Sequence, residues 1–301
     1  MKVFLFTNSN HVIAYISAKI FAKYTENSED FAVIFDQEYS IFLNNPLLGN
    51  KFWTMEDKRV YEDIIVPNEV TTIDYKSQYE CLQNKPSLDA WLSYTILGKK
   101  QYITPVTYMP TIDTKLQIEK YIQDQNKNNF SNVLVAPYYL SDNWQEEFIV
   151  TEDMWYDKKL RSFSPTAAKH IETFLSDKVN YINLLPNNDY KSNDLGYIVS
   201  CCDAVICNYD IVYQHANDLQ IPCLVNLGVE HIDDNISKTT SIFDPYRNIK
   251  ENMPPAMFTE SYKRALLANT NIITYHEKEK LLEKEILKLF KKHGVPYDSS
   301  M

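Results

Sequence analysis

GYIVSCCDAVICNYDIVYQHANDLQIPCLVNLG, residues 196–228, is the stretch whose reading decides the fold. Ala204 to Cys207 is an unbroken apolar run between polar neighbours, the pattern of a strand buried on both faces of a parallel sheet. Asn208 to Asp210 is a polar turn, followed by a short helix that carries His215. A second buried strand, Cys223 to Leu227, ends at Gly228. Ahead of the first strand, Gly196 to Cys202 reads as a helix packed beside it. A strand that stops in a polar turn at a helix start presents backbone N–H groups and the positive end of the helix dipole, a setting suited to an anion.

The same rhythm extends in both directions. Residues 2–7 (KVFLFT) read as a first strand, and Val12 to Tyr24 as a helix with Val12, Ile16, Ile20 and Tyr24 on one face. Asp30 to Phe35 is a second strand and Glu62 to Val66, stopped by Pro67, a third. Leu88 to Leu97 is helical, with Gly98-Lys99-Lys100 as its terminator. The passage 105–130 carries Pro105, Pro110 and a polar helix from Lys115 to Asn126. A new domain follows: a strand from Asn132 to Ala136, an acidic and aromatic insertion over 140–160, and a helix entered through Ser164-Pro165 and running to Ser176. Then come a strand from Val179 to Leu185, the segment quoted above, a polar loop over 230–258 and an amphipathic helix from Lys278 to His293. Strands alternating with helices predict parallel sheets covered on both faces. The expected division is 1–125 and 126–301.

Composition narrows the functional classes. Hydrophobic content of 45% with 23% charged residues describes a globular chain. No apolar run approaches the roughly 18 residues that a membrane-spanning helix needs, and the start MKVFLFTNSN lacks the pattern of a signal peptide. A cytoplasmic location is expected. The five cysteines form no C-x-x-C pair and read as small core residues in a reducing compartment. A net charge of −10 works against non-specific nucleic-acid binding.

The order of elements over 161–228 resembles the C-terminal half of the heptosyltransferase-like nucleotide-sugar glycosyltransferases. There a strand leads into Asp-Ser/Thr-Gly, a helix with His-Leu-Ala, then G-x-P and another strand. This chain has Asn208-Tyr209-Asp210, His215-Ala216-Asn217 and Gln220-Ile221-Pro222 in those places. The resemblance implies two Rossmann-like α/β domains facing a cleft, the GT-B type, with the acceptor on the first and the nucleotide sugar on the second. It implies that the turn and helix start at Asn208, Tyr209, Asp210 and Ile211, together with His215, hold the donor. The family's Lys-x-Trp-Pro, whose lysine contacts the donor pyrophosphate, is matched by Arg161, Phe163 and Ser164-Pro165, with Lys158 and Lys159 in reserve. A guanidinium grips two phosphate oxygens at once, so arginine preserves that chemistry. Where the family places Gly-Asp after its first strand, with the aspartate as the suspected base, this chain has Asn10-His11. Related enzymes that glycosylate small molecules use a histidine there, and an imidazole suits a general base near neutral pH.

Other constellations are missing. No D-x-D occurs to chelate a metal, which leaves leaving-group stabilisation to protein cations and helix dipoles. No G-x-G-x-x-G follows the first strand, so Asp36 is expected to be solvated and not to hold a ribose. Nucleophile-elbow, Walker and H-E-x-x-H patterns are absent too. The expectation is a metal-independent, inverting glycosyltransferase that uses a nucleotide sugar as co-substrate and needs no cofactor, with a glycan or another hydroxyl as acceptor. Two other enzymes share this plan. One glycosylates a hydroxymethylated base in viral DNA and would show a basic groove from Lys51, Lys58, Arg59, Lys99 and Lys100. The other is a nucleotide-sugar epimerase or hydrolase, which would draw on Asp36, Glu38 and Asp210. A binding protein without activity, suggested by the missing glycines at 208–211, is a third possibility.

Overall fold

A computed structural model describes residues 1–7, 11–25, 30–36, 51–56, 59–74, 88–99, 112–125, 130–137, 163, 165–184, 192–208, 211–229, 270–275 and 279–299. The chain divides into two compact units, the first taking Met1–Met109 and the second opening at Pro110.

The first unit is built on a parallel sheet of β1 (Lys2–Thr7), β2 (Phe31–Phe35), β3 (Phe52–Thr54) and β4 (Glu69–Asp74), in the order β3-β2-β1-β4. Alternation along β1 and β2 sends Val3, Ala32 and Ile34 to one face, where they close on Val60. Phe4, Phe6, Phe31 and Phe35 go to the other, against α1 (His11–Thr25), with Phe21 of α1 stacked on Phe31 at 5.4 Å between ring centroids. Every described side chain of α1 is buried, Ser17 and Lys19 included. The sequence predicted one apolar face. The helix is instead enclosed all round, which its run of Ile, Ala, Tyr and Phe permits, and α2 (Leu88–Leu97) packs beside it.

One predicted strand is corrected. Residues 62–66 fall in a short π-helical segment, Val60–Ile65, and the strand beyond it is β4. Val60 and Ile64 lie one helical turn apart and reach the same core, so the periodicity is helical; Pro67 closes a helix and not a strand. Gly98, at φ 68°, ends α2 as expected.

The second unit holds a five-stranded parallel sheet, β5 (Asn132–Ala136), β6 (Asn180–Asn183), β7 (Ala204–Asn208), β8 (Cys223–Val229) and β9 (Thr270–Tyr275), ordered β6-β5-β7-β8-β9. Its helices are α3 (Ile112–Gln125), α4 (Pro165–Leu175), α5 (Ser192–Ser200), α6 (Ile211–Asp218) and α7 (Glu279–His293). Val133, Val135, Ala204, Ile206 and Leu224 form one face of the sheet, covered by Phe163 and Ile171 near and on α4 and by Ile286, Leu289 and Phe290 on α7. Each such Val, Leu, Ile or Phe side chain contributes about 1.5–3 kcal/mol by leaving water. At the N-terminal edge of the sheet, the Asn132 side chain donates to the Cys201 carbonyl at 3.0 Å and its backbone N–H to Asp203 at 2.8 Å. Asn180 donates in turn to Asn132, so amides lace β5, β6 and the start of β7 together.

The expected boundary between 125 and 126 is displaced. α3 lies with the second unit because Ile118 and Ile122 are buried, the Tyr121 hydroxyl donates to the Asn183 carbonyl at 3.3 Å, and Tyr197 of α5 donates to Glu119. Cys202, Cys207 and Cys223 are buried, Cys201 is half-buried, and none of the four is in a disulfide; the Cys207 and Cys223 sulfurs lie 3.6 Å apart. Burial pushes the Cys202 thiol well up. Cys81 and the segments 140–160 and 230–258 lie outside the described residues.

Candidate functional site

In a doubly wound sheet, ligands bind beyond the carboxyl ends of the strands, where neighbouring connections leave in opposite directions. In the second unit that point falls between β5 and β7, since β5 leads outward to β6 and β7 to β8. Three stretches of chain converge there. β5 ends at Ala136 and Pro137; the Phe163 N–H, two residues before α4, donates to the Pro137 carbonyl at 2.9 Å; β7 ends at Asn208.

Asn208 spans the switch point. Its side chain is fully buried, and Nδ2 donates to the Ala136 carbonyl at 3.3 Å, joining the ends of the two strands. An aspartate, the residue of the resembling family, has no proton to donate to that carbonyl once ionised, so the exchange to asparagine has a physical reason. Three residues on, Ile211 opens α6 and is itself buried. Asn208, expected as the first residue of the turn, is thus the last residue of β7, and Ile211 opens the helix beyond it. Tyr209, Asp210, Lys159 and Arg161 lie outside the described residues. Phe163, two positions after Arg161, is buried and tied to the end of β5.

His215 lies one turn into α6 and is 3% exposed. Its ring rests on Gly196 in the middle of α5: a Cβ built on that glycine would stand 2.9 Å from both Cε1 and Nδ1. This is the placement of a side chain packed between two helices. The sequence reading named Gly196 only as a helix start. The signal that marks it was present, because glycine inside a helical pattern is costly and calls for a close neighbour.

The end of α6 bears on the G-x-P match. The Ile221 N–H donates to the Ala216 carbonyl at 2.9 Å, and Gln220 takes φ 58°. That is the left-handed residue of a Schellman cap, the position that favours glycine. Gln220 therefore adopts the backbone that the family's glycine would supply.

In the first unit the switch point lies between β1 and β4, whose last residues, Thr7 and Asp74, are in register. His11 is the first residue of α1, directly beyond the end of β1. Asp36 is exposed at the end of β2. Of the proposed basic groove, Lys51 precedes β3 and holds its ammonium 4.4 Å from the centroid of Phe31, the first residue of β2. That is the N-terminal edge of the sheet, opposite the edge from which α1 departs. Arg59 and Lys99 are exposed, while Lys58 and Lys100 lie outside the described residues. Among the described residues no group of carboxylates, histidines and cysteines is arranged to hold a metal ion, and no helix is long and apolar enough to cross a membrane.

No family model matches this sequence, and no curated protein matches it. Solved structures do match. A glycosyl transferase family 9 protein from Veillonella parvula superimposes with a TM-score of 0.50 at 9% identity, covering 97% of each chain. The ADP-heptose LPS heptosyltransferase II of E. coli gives a TM-score of 0.52 at 9% identity, over 97% of this chain and 98% of the other. With its two parallel, doubly wound sheets, the chain has the α/β fold of the GT-B glycosyltransferases.

Proposed function

We propose that this protein is a glycosyltransferase that moves a sugar from a nucleotide-sugar donor to an acceptor hydroxyl on a glycan, without a metal and with inversion at the anomeric carbon. The observation that carries the reading is the Asn208–Ala136 hydrogen bond across the switch point of the second sheet, with α6 starting immediately beyond it. A diphosphate at the start of α6 would meet the backbone N–H groups of 209–211 and the positive end of the helix dipole. Arg161, with Lys159 in reserve, supplies the cation. In the first unit His11 is the base: its imidazole takes the acceptor's hydroxyl proton while that oxygen bonds to the anomeric carbon. The bond from that carbon to the diphosphate breaks, and the nucleoside diphosphate leaves with the electron pair. Amide hydrogens and a guanidinium held in place for that charge lower the barrier without reorganising. The fold shared with the two glycosyltransferases supports this assignment, and the histidine at the start of α1 supports the choice of base.

The test is a thermal-shift screen against UDP-, GDP-, ADP- and CMP-sugars, followed by transfer assays with the donor that binds. A ligand at about 100 times its Kd adds roughly 2.7 kcal/mol of stability and raises Tm measurably. His11→Ala should then lower turnover by about 10²–10⁴ while the donor-induced shift persists. Turnover near that of the unmodified protein would reject His11 as the base. A chain that neither binds, transfers nor hydrolyses any nucleotide sugar would reject the whole reading. Conversion of the sugar while still attached to its nucleotide would identify an epimerase.

A further inference from the structure

Only five glycines occur in the chain, and one of them, Gly196, occupies the middle of α5. Glycine in a helix interior is less favourable than alanine by about 1 kcal/mol, so a mid-helix glycine calls for a reason in space. The reason is a ring. An added Cβ would stand 2.9 Å from Cε1 and Nδ1 of His215, a separation at which one of the two must move. The imidazole fills the volume that any other residue at 196 would occupy.

His215 is also the residue one turn after Ile211, so the two share a face of α6, separated by about 6 Å along its axis. α6 is only eight residues long, and Ile211 through Ala216 are all buried. A helix so short and so enclosed transmits a displacement at its middle to its first turn. Its far end is already fixed, by the left-handed Gln220 and the bond from Ile221 to Ala216. The Gly196–His215 contact therefore fixes the remaining freedom: how far the start of α6 stands from the end of β7.

We propose that His215 is a positioning residue that acts through Gly196, seating α6 on α5 so that the start of α6, at Ile211, stands where a donor diphosphate is held; this rests on the donor reading above. It gives His215 a role different from the direct donor contact expected from the sequence. It also assigns a function to Gly196, which touches no substrate.

The experiment uses the full chain with Gly196→Ala, His215→Ala and the double variant. It measures donor Kd by calorimetry, kcat at saturating donor, and amide hydrogen exchange of the 208–214 segment by mass spectrometry. Gly196→Ala should weaken the donor about tenfold, as small misplacements of a binding group do, and should lower kcat at saturation as well, since the start of α6 also holds the leaving charge, with faster exchange at 209–211. His215→Ala should act in the same direction. The double variant should recover much of the affinity, because the added methyl enters the space the ring vacates, giving a coupling that independent sites lack. A lowered Tm in Gly196→Ala with donor affinity and exchange unchanged would make the contact purely structural and overturn the proposal. So would a double variant as weak as the product of the two single losses. Should Gly196→Ala fail to fold, unaltered donor affinity in His215→Ala overturns it alone. Should the unmodified protein bind no nucleotide sugar, the donor reading fails by itself. The exchange of 209–211 in Gly196→Ala still decides the positioning claim, unchanged rates refuting it.

Discussion

Gln220 holds a backbone conformation that costs a residue with a Cβ about 1–2 kcal/mol and glycine almost nothing. Gln220→Gly relieves that strain and gives back part of the gain through a more flexible unfolded chain, so a net stabilisation of about 0.5–1 kcal/mol is expected. Urea denaturation checks it, and a loss of stability would mean that the Gln220 side chain makes a contact worth more than the strain. Residue type alone concealed this position, since glutamine carries no turn preference; only the comparison with G-x-P drew attention to it. Asn208 was easier to place. A polar residue closing an apolar run marks a strand end, yet its bond to Ala136 depends on which strands are neighbours, and no local pattern encodes that. Four of the proposed site residues, Lys159, Arg161, Tyr209 and Asp210, rest on the sequence resemblance, because they fall outside the described residues.

Among the elements, α7 combines a deeply buried face with a polar end. Ile286, Leu289 and Phe290 seal the second sheet, and His293 closes the last turn. Desolvation, reinforced by the charge of Lys292, holds the His293 imidazole below its usual range. A group whose folded pKa is depressed leaves the unfolded chain to bind the proton first. Stability is therefore undiminished above about pH 6.5 and declines as pH falls below it. His293→Gln should flatten the change in urea midpoint between pH 7.5 and pH 5 relative to the unmodified protein; identical profiles would exclude this histidine. The elements most legible in the sequence were those buried on both sides. β5 matches its expected span residue for residue, because a run such as NVLVA has one stable use at the centre of a parallel sheet. β4, EVTTID, escaped notice because it lies at the sheet edge with half its side chains in water, where threonines and acids mask the alternation. The 62–66 error has a related cause. Adjacent Ile64 and Ile65 look like a strand core, while Val60, which reveals a helical turn, lies outside the window.

For the molecule as a whole, the charge of −10 and the position of Lys51 bear on the choice of acceptor. Duplex DNA is held mainly through phosphates, by cations that release its counterions. An acidic chain whose candidate Lys51 lies at the far edge of the first sheet from His11 is poorly equipped for that. Gel-shift titration with duplex DNA carrying hydroxymethylated cytosine should show no complex at about 0.15 M salt. A complex with a steep salt dependence would favour the DNA acceptor over a glycan. The doubly wound plan of both units was readable from the strand–helix alternation. The point where the chain passes from one unit to the other was not, because α3 is polar on most of its surface and looked like a linker, whereas its Ile118 and Ile122 are buried and the helix packs on β6.

The enclosure of α1 has a bearing on how the protein tolerates change. A helix with one wet side accepts nearly any substitution there, but Ile13 to Ala22 has no such side. In a saturation library scored for folding, that stretch should appear as a continuous block of intolerance with no three-to-four-residue rhythm. Natural variation in what the first unit receives would then be confined to the chain flanking this fixed post, His11 among it.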